Sequence, residues 1–415
     1  MNVIFICGGY YPDTSATGNC VRQIADKFTQ HGDKVYIVCK SGTTKQYEEE
    51  LNGQQIYRIT NKRLSNWYRI TEKQKTLITR IELLFYKSFW AIHGLTSPDG
   101  LDRSLVNKYV NKTHKIMKSD TIDAIIPCCM PAECLGATHI CINGNNIKVF
   151  PLLYDLYSEN TQFFRYKWSH ALRRGRALEL EKDLFSSSKK IFYVDNWKQY
   201  FLKYNYPNAV RVEHPLLVYR KPTPGTLKNK NDINVIYQGE INHQMRPPTA
   251  MLKAFEYIVK VYGRISLHIC AYGNSVDEVE QLANKNPEHI LFYGCVGKDV
   301  ADQLYDAADV AVVIANKNPD IVPSKIFECI ASGFPIVYFY YSKEEKTYAL
   351  LKKYHLVYFV SQDDNSVECY KKLADWIYQH YLMRLGFADV LKDYADATPD
   401  YVFDEISRLI KEDEK

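Results

Sequence analysis

A chain of 415 residues that is 46% apolar and 24% charged is too long for a single hydrophobic core, and its composition excludes a disordered or fibrous protein. A formal charge of +5 over that length does not argue for a nucleic-acid binder, although it suits an acidic ligand or an anionic surface. Eleven cysteines include the adjacent Cys128 and Cys129 but no Cys-x-x-Cys and no zinc-type spacing with histidine, so they read as buried or free thiols of a reducing compartment, with no metal site implied.

Met1–Cys7 is apolar but lacks a basic lead and meets Gly8-Gly9 too soon for a signal peptide. No run approaches the roughly 18 apolar residues of a membrane span, and a cytoplasmic location is expected. Val3–Cys7 predicts a strand, Gly8–Gly18 a loop, and a helix follows near Asn19–His31 until Gly32. With the strand Lys34–Cys39 this makes a βαβ unit whose first loop belongs at the carboxyl edge of a parallel sheet, where ligands bind. The loop is not Gly-x-Gly-x-x-Gly and no acidic residue ends the second strand, which disfavours a dinucleotide oxidoreductase.

After a strand at Ile56–Thr60, the segment 61–92 is basic and aromatic, with Leu77, Ile81, Leu84, Phe85 and Ile92 on one side of a helix. The expectation is a core-facing helix with a solvated basic face; the alternative is peripheral contact with an anionic membrane. Asp123–Cys128 and Val149–Tyr154 read as strands, the second delivering Asp155 to its carboxyl end. Glu179–Ser186 is helical, and Ile191–Asp195 and Val210–Leu216 close the first half as strands. Residues 217–232, polar with two prolines and a glycine, read as an interdomain linker. The alternation then restarts over 233–382, with strands at Ile233–Tyr237, Ile265–Ala271, Ile290–Tyr293, Val310–Ile314, Ile336–Tyr340 and Val357–Val360. Residues 383–415 hold C-terminal helices that can pack back on the first domain.

Asn318–Pro335 carries the clearest chemistry. It leaves the strand Val310–Ile314, crosses a loop with two prolines, and enters a short helix at Ser324-Lys325 that stops at Gly333. A helix start has free N–H groups and a positive dipole end, so it suits a phosphate, and Lys325 adds a full charge. Asp320 and Glu328 bracket the turn as acceptor-only groups suited to hydroxyls, so a sugar on a diphosphate fits. Gly239 with Arg246, Tyr272-Gly273, and Ser324-Lys325 all follow strands of one parallel sheet, so Arg246 and Lys325 can grip one diphosphate from two sides without a metal.

Val310–Val337, with Pro-Ser-Lys-Ile-Phe-Glu at 323–328, resembles the donor-binding signature of family-4 retaining glycosyltransferases of the GT-B fold, particularly bacterial surface-polysaccharide ones. Gly8-Gly-Tyr-Tyr-Pro through Thr17-Gly18, His31–Val35 and Tyr237–Glu240 are similar to that family too. The resemblance implies an α/β chain of two Rossmann-like doubly wound parallel-sheet domains facing a cleft, with 1–216 binding the acceptor and 233–382 the donor. It implies that Glu328 holds the nucleotide ribose and that Asp320, standing where the family has glutamate, faces the donor sugar. Glu240 stands at the family's arginine position, so Arg246 takes the basic role, and Asp155, followed by Tyr157, stands where many members have a histidine. The implied catalytic set is Asp155, Asp320, Arg246 and Lys325; the donor set is Gly18, Gly239, Tyr272, Gly273, Val296, Ser324, Lys325, Ile326 and Glu328. No cofactor is implied beyond a UDP- or GDP-sugar donor, and the acceptor would be a glycan or lipid-linked glycan of capsule, O-antigen or exopolysaccharide synthesis, at the inner face of the cytoplasmic membrane. Another GT-B enzyme, an epimerase or inverting transferase, and a non-catalytic nucleotide-sugar-binding partner of an active transferase are the alternatives.

Overall fold

The computed structural model describes residues 1–11, 15–72, 76–96, 99–159, 167–225, 227, 229 and 231–412. Lys73 and Lys75 of the basic segment, the side chain of Ile92, and Thr226, Lys228 and Lys230 of the expected linker lie outside the described residues. The chain divides into two compact units, one of residues 1–216 with 396–415 and one of residues 217–395.

The first unit holds strands β1 (Asn2–Ile6), β2 (Lys34–Lys40), β3 (Tyr47–Leu51), β4 (Gln54–Ile59), β5 (Ala124–Pro127) and β6 (Lys148–Val149), ordered β3-β4-β2-β1-β5-β6. All neighbours are parallel except β3, which runs antiparallel to β4 at the edge. Side chains alternate across β1: Ile4 and Ile6 join a core with Leu105 and Tyr109 of the helix Arg103–Ser119, while Val3 and Phe5 join a second core with Ile24 and Phe28. That second core also takes Val402 and Ile406 from the helix Pro399–Glu412.

Three features depart from the sequence expectation. The glutamate-rich strand β3 has no counterpart among the sequence expectations; it forms at an edge and turns through Asn52-Gly53, both at positive φ, the pair that marks a tight hairpin. The single strand expected at Val149–Tyr154 is broken at Pro151. Phe150 N–H still donates to Ile125 C=O at 3.0 Å, whereas Phe192 N–H donates to Pro151 C=O at 2.9 Å. The chain there leaves the first sheet and becomes β7 (Leu152–Leu153) of a separate parallel sheet with β8 (Ile191–Val194) and β9 (Ala209–Val212). Lastly, the helix Leu77–Thr96 is not core-facing over its described side chains: Leu77, Ile78, Ile81, Leu84, Phe85 and Phe89 are exposed. Among the described residues no helix is long and apolar enough to cross a membrane.

The second unit is one fully parallel sheet of β10 (Ile233–Glu240), β11 (Ile265–Tyr272), β12 (Ile290–Phe292), β13 (Val310–Ile314), β14 (Ile336–Tyr340) and β15 (Val357–Ser361), ordered β12-β11-β10-β13-β14-β15. Val235, Leu267, Val312 and Val337 pack with the helices Thr249–Tyr262 and Val367–His380. The described residues of 217–232 belong to this unit, tied by Arg220 to Asp306 at 2.6 Å and by Asn229 to Ser266 at 2.7 Å. Strand order reverses between β10 and β13. In parallel sheets the carboxyl edge at such a reversal is where ligands bind.

Candidate functional site

The loop after β10 is built around Arg246. Asn242 and Arg246 exchange backbone hydrogen bonds at 3.0 and 2.8 Å, and the Asn242 carboxamide oxygen accepts from the N–H groups of Gln244 and Met245. The side chain then returns over the strand end, since a Cβ placed on Gly239 would lie 3.8 Å from the Arg246 guanidinium and 3.5 Å from the Tyr237 hydroxyl. Gly239 itself has φ +150°, a conformation that favours glycine. Burial pushes the Tyr237 hydroxyl up to about 12, with Arg246 pulling the other way. Arg246 Nε is buried and has no hydrogen-bond partner.

The loop after β13 is tied to the first. Lys317 N–H donates to Met245 C=O at 2.8 Å, and its amine to His243 C=O at 3.3 Å. The Asn318 carboxamide oxygen accepts from Asp320 N–H at 3.1 Å and shapes the approach to the helix Lys325–Ala331. At the helix start the expectation of several free donors is narrowed. Ile326 N–H already donates to Pro323 C=O at 3.0 Å and Phe327 N–H to Ser324 C=O at 3.2 Å, as tight first turns do. Ile326, expected to face a donor, has a fully buried side chain. Ser324 makes no side-chain cap, and positive charge at this turn rests chiefly on Lys325.

Lys325 is itself paired. Its amine sits 2.5 Å from the Glu328 carboxylate and 5.3 Å over the Tyr305 ring. Asp320 is exposed and pairs with Lys346 at 3.1 Å. Each of the two carboxylates expected to hold hydroxyls thus has its own lysine.

Tyr272-Gly273 closes the same edge. Ile241 N–H donates to Tyr272 C=O at 2.9 Å, and a Cβ on Gly273, at φ +128°, would fall 1.9 Å from the Ile241 carbonyl oxygen. Gly273→Ala should therefore push the two loops apart and destabilise the second unit by roughly 2 kcal/mol. Tyr272→Ala, at an exposed side chain, should leave thermal unfolding nearly unchanged, and comparison of the two melting temperatures checks this.

The half-buried Val296 follows β12 on that edge too, so Gly239, Arg246, Tyr272, Gly273, Val296, Asp320, Ser324, Lys325 and Glu328 share one edge of one sheet. Gly18 and Asp155 belong to the first unit. A Cβ on Gly18 would meet the Gly9 carbonyl oxygen at 2.0 Å, and its N–H caps onto Ser15 Oγ at 3.0 Å, so that glycine is required by packing. Asp155 follows β7, half-buried and close enough to Cys129 to help raise that thiol, which burial raises most.

Sequence reasoning missed a further group at the same edge. Among the described residues, ten buried side-chain atoms lack hydrogen-bond partners, and five belong to the second unit: Gln238 Oε1, Arg246 Nε, the hydroxyls of Tyr338 and Tyr341, and Glu345 Oε1. Gln238 lies toward the end of β10, Arg246 in the loop after it, and Tyr341 and Glu345 in the loop after β14, whereas Tyr338 sits in the middle of β14. Such groups are costly to bury unpaired, so their concentration marks where polarity is held for something other than the fold. A cavity of 490 Å³ opens instead at the amino edge, lined by Asp232, Arg264 and Asp309. Its carboxylates are already engaged, Asp232 by Ser266 Oγ at 2.6 Å and Asp309 by Asn234 N–H at 2.7 Å. It has no comparable set of unpaired groups.

No protein-family model matches the chain, and no curated protein matches it in sequence. Solved structures are similar in fold. Anabaena HepE in complex with UDP is 11% identical, with 99% of this chain and 100% of that chain covered and a TM-score of 0.58; HepE is also known in complex with UDP-glucose. A glycosyltransferase from Rickettsia africae is 11% identical over 99% of this chain and 98% of that chain, with a TM-score of 0.56. A Listeria monocytogenes protein assigned as a UDP-N-acetylglucosamine 2-epimerase is 11% identical over 99% and 97%, with a TM-score of 0.57. With these similarities and its two α/β units built on parallel sheets, the chain has the GT-B fold.

Proposed function

We propose that the chain is a retaining glycosyltransferase that takes a sugar from a nucleoside-diphosphate donor bound at the carboxyl edge of the second unit. The observation that carries this reading is Arg246: a half-buried guanidinium with an unpaired Nε, folded back over Gly239 and tied through its loop to the one that presents Lys325. A diphosphate is the ligand that two such cations at a switch point suit best, Arg246 through its planar fork and Lys325 as a point charge. UDP-sugars are the first donors to test, because HepE, of the same fold, is known with UDP-glucose.

In this reading the lysine–carboxylate pairs are resting contacts. Donor binding draws Lys325 from Glu328 to the phosphates and frees Glu328 to accept from ribose hydroxyls, while Asp320, held by Lys346, meets the sugar. The bond from the anomeric carbon to the diphosphate oxygen breaks, and the electron pair leaves with the nucleoside diphosphate. Arg246 and Lys325 stabilise that developing charge without a metal ion. The acceptor hydroxyl attacks the oxocarbenium-like sugar from the same face and passes its proton to the departing diphosphate oxygen, so configuration is retained and no covalent protein intermediate is needed. Asp155, in the first unit, is the residue proposed to act beside the reacting carbon. The acceptor class is a glycan or lipid-linked glycan of surface-polysaccharide synthesis, handled in the cytoplasm.

The test is UDP titration by calorimetry followed by turnover of a panel of sugar nucleotides with product anomer analysis. Arg246→Ala should weaken UDP binding about tenfold. Absence of both binding and turnover across the panel would sink the proposal. A nucleotide-sugar epimerase is the second reading, motivated by the Listeria likeness; release of UDP with an epimerised sugar and no acceptor would select it.

A further inference from the structure

The helix Leu77–Thr96 turns an apolar stripe outward. Leu77, Ile78, Leu84 and Phe85 are 68% to 77% exposed and Ile81 is 47% exposed, and their spacing places them on one face. The other side meets the helix Lys62–Thr71, where the Tyr86 hydroxyl donates to Arg63 C=O at 2.6 Å and the Tyr86 and Trp67 rings lie 6.0 Å apart. Scattered exposed apolar residues are ordinary, but five along one helix face are a surface with a purpose. Basic side chains surround it: Lys62, Arg63, Arg69, Arg80 and Lys87 are exposed, against Glu72 and Glu82. Lys87 lies 5.8 Å over the Trp67 ring and Arg69 is 3.9 Å from Glu82. A second copy of the chain would bring the same positive surplus and repel, whereas anionic lipid complements both the stripe and its flanks.

We propose that this two-helix face docks on an anionic lipid bilayer. The Leu77–Phe85 stripe enters the boundary between headgroups and acyl chains, and the arginine and lysine side chains meet lipid phosphates. The proposal does not depend on the donor chemistry.

The full chain is floated with phosphatidylcholine vesicles containing roughly one-third phosphatidylglycerol and with phosphatidylcholine alone. Partition to the anionic vesicles should be at least about tenfold stronger and should fall with added salt. Leu84→Glu with Phe85→Glu should abolish it, and Arg80→Glu with Lys87→Glu should weaken it about tenfold, with circular dichroism unchanged because all four side chains are exposed. Equal partition to neutral vesicles, indifference to the glutamates, or a dimer broken by the glutamates without vesicle association would overturn the proposal. UDP titration of the same variants keeps the two readings apart: lost vesicle binding with retained UDP binding supports docking alone, and a wild type that binds vesicles but not UDP counts only against the donor site.

Discussion

Lys325→Ala is expected to lower turnover of a sugar nucleotide about a hundredfold while the protein stays folded. The amine is the positive charge at the helix start, where Ile326 and Phe327 N–H groups are already bonded within the turn and the dipole of a seven-residue helix is short. Little else there replaces it as negative charge develops on the leaving diphosphate. The stability cost should be small, because its partner Glu328 is exposed and such i,i+3 pairs are worth about 0–1 kcal/mol. Glu328→Ala should lose a similar factor for a different reason, the loss of a ribose acceptor, and should also free Lys325. Lys325→Arg should recover part of the rate, since charge is kept and shape is not. Near-normal turnover in both alanine variants would remove the site assignment.

The second large effect concerns stability against pH. Burial pushes the Glu345 carboxyl from an ordinary value near 4.5 up to about 7, with Tyr338 and the backbone of Tyr341 and Ser342 pulling the other way. A raised acid favours folding while protonated, so its contribution is complete below about pH 4.5 and is lost as pH rises through 7. Glu345→Gln cannot ionise, so relative to wild type it should gain roughly 3 kcal/mol between pH 4.5 and 7.5.

His268 works in the opposite sense. It is fully buried, its Nε2–H donating to Asn234 Oδ1 at 2.8 Å and its Nδ1 accepting from the Tyr293 hydroxyl at 2.9 Å, and burial lowers it from 6.5 to about 4, against the pull of Asp232. Its contribution is complete above about pH 6.5 and lost as pH falls through 4. The two terms nearly offset in the wild type, so Glu345→Gln exposes the histidine: its melting temperature should fall on acidification more steeply than that of the wild type. Parallel pH profiles for the two proteins would refute the assignment of Glu345 as a buried acid.

Much of the second unit was legible residue by residue. Val235, Ile236, Val312 and Val313 lie in apolar runs bounded by Gly239 and Asn316, and parallel strands buried on both faces require little more than such runs. Asp320, Lys325 and Glu328 were legible as a group because a strand, a loop and a helix start place them locally. The helix Arg103–Ser119 is also legible in the sequence, with Asp102 as its cap and Leu105, Val106 and Tyr109 at helical spacing. Pro151 marked the break in the expected strand only once its partners were known, since either sheet could have claimed Phe150 or Leu152.

By itself the sequence determined the alternating α/β build, the turn at Ser324-Lys325 and the residue types gathered after β10, β11 and β13. These rest on short-range periodicity and on topology, which carries every such loop to one edge. The tertiary structure alone decided that Asp320 pairs with Lys346, and that Gln238, Tyr338, Tyr341 and Glu345 each keep a buried polar atom without a partner. It also decided that the stripe from Leu77 to Phe85 faces outward. Pairing and burial depend on which distant segment packs against a residue, and an amphipathic pattern has the same period whether its apolar face meets a core or a membrane.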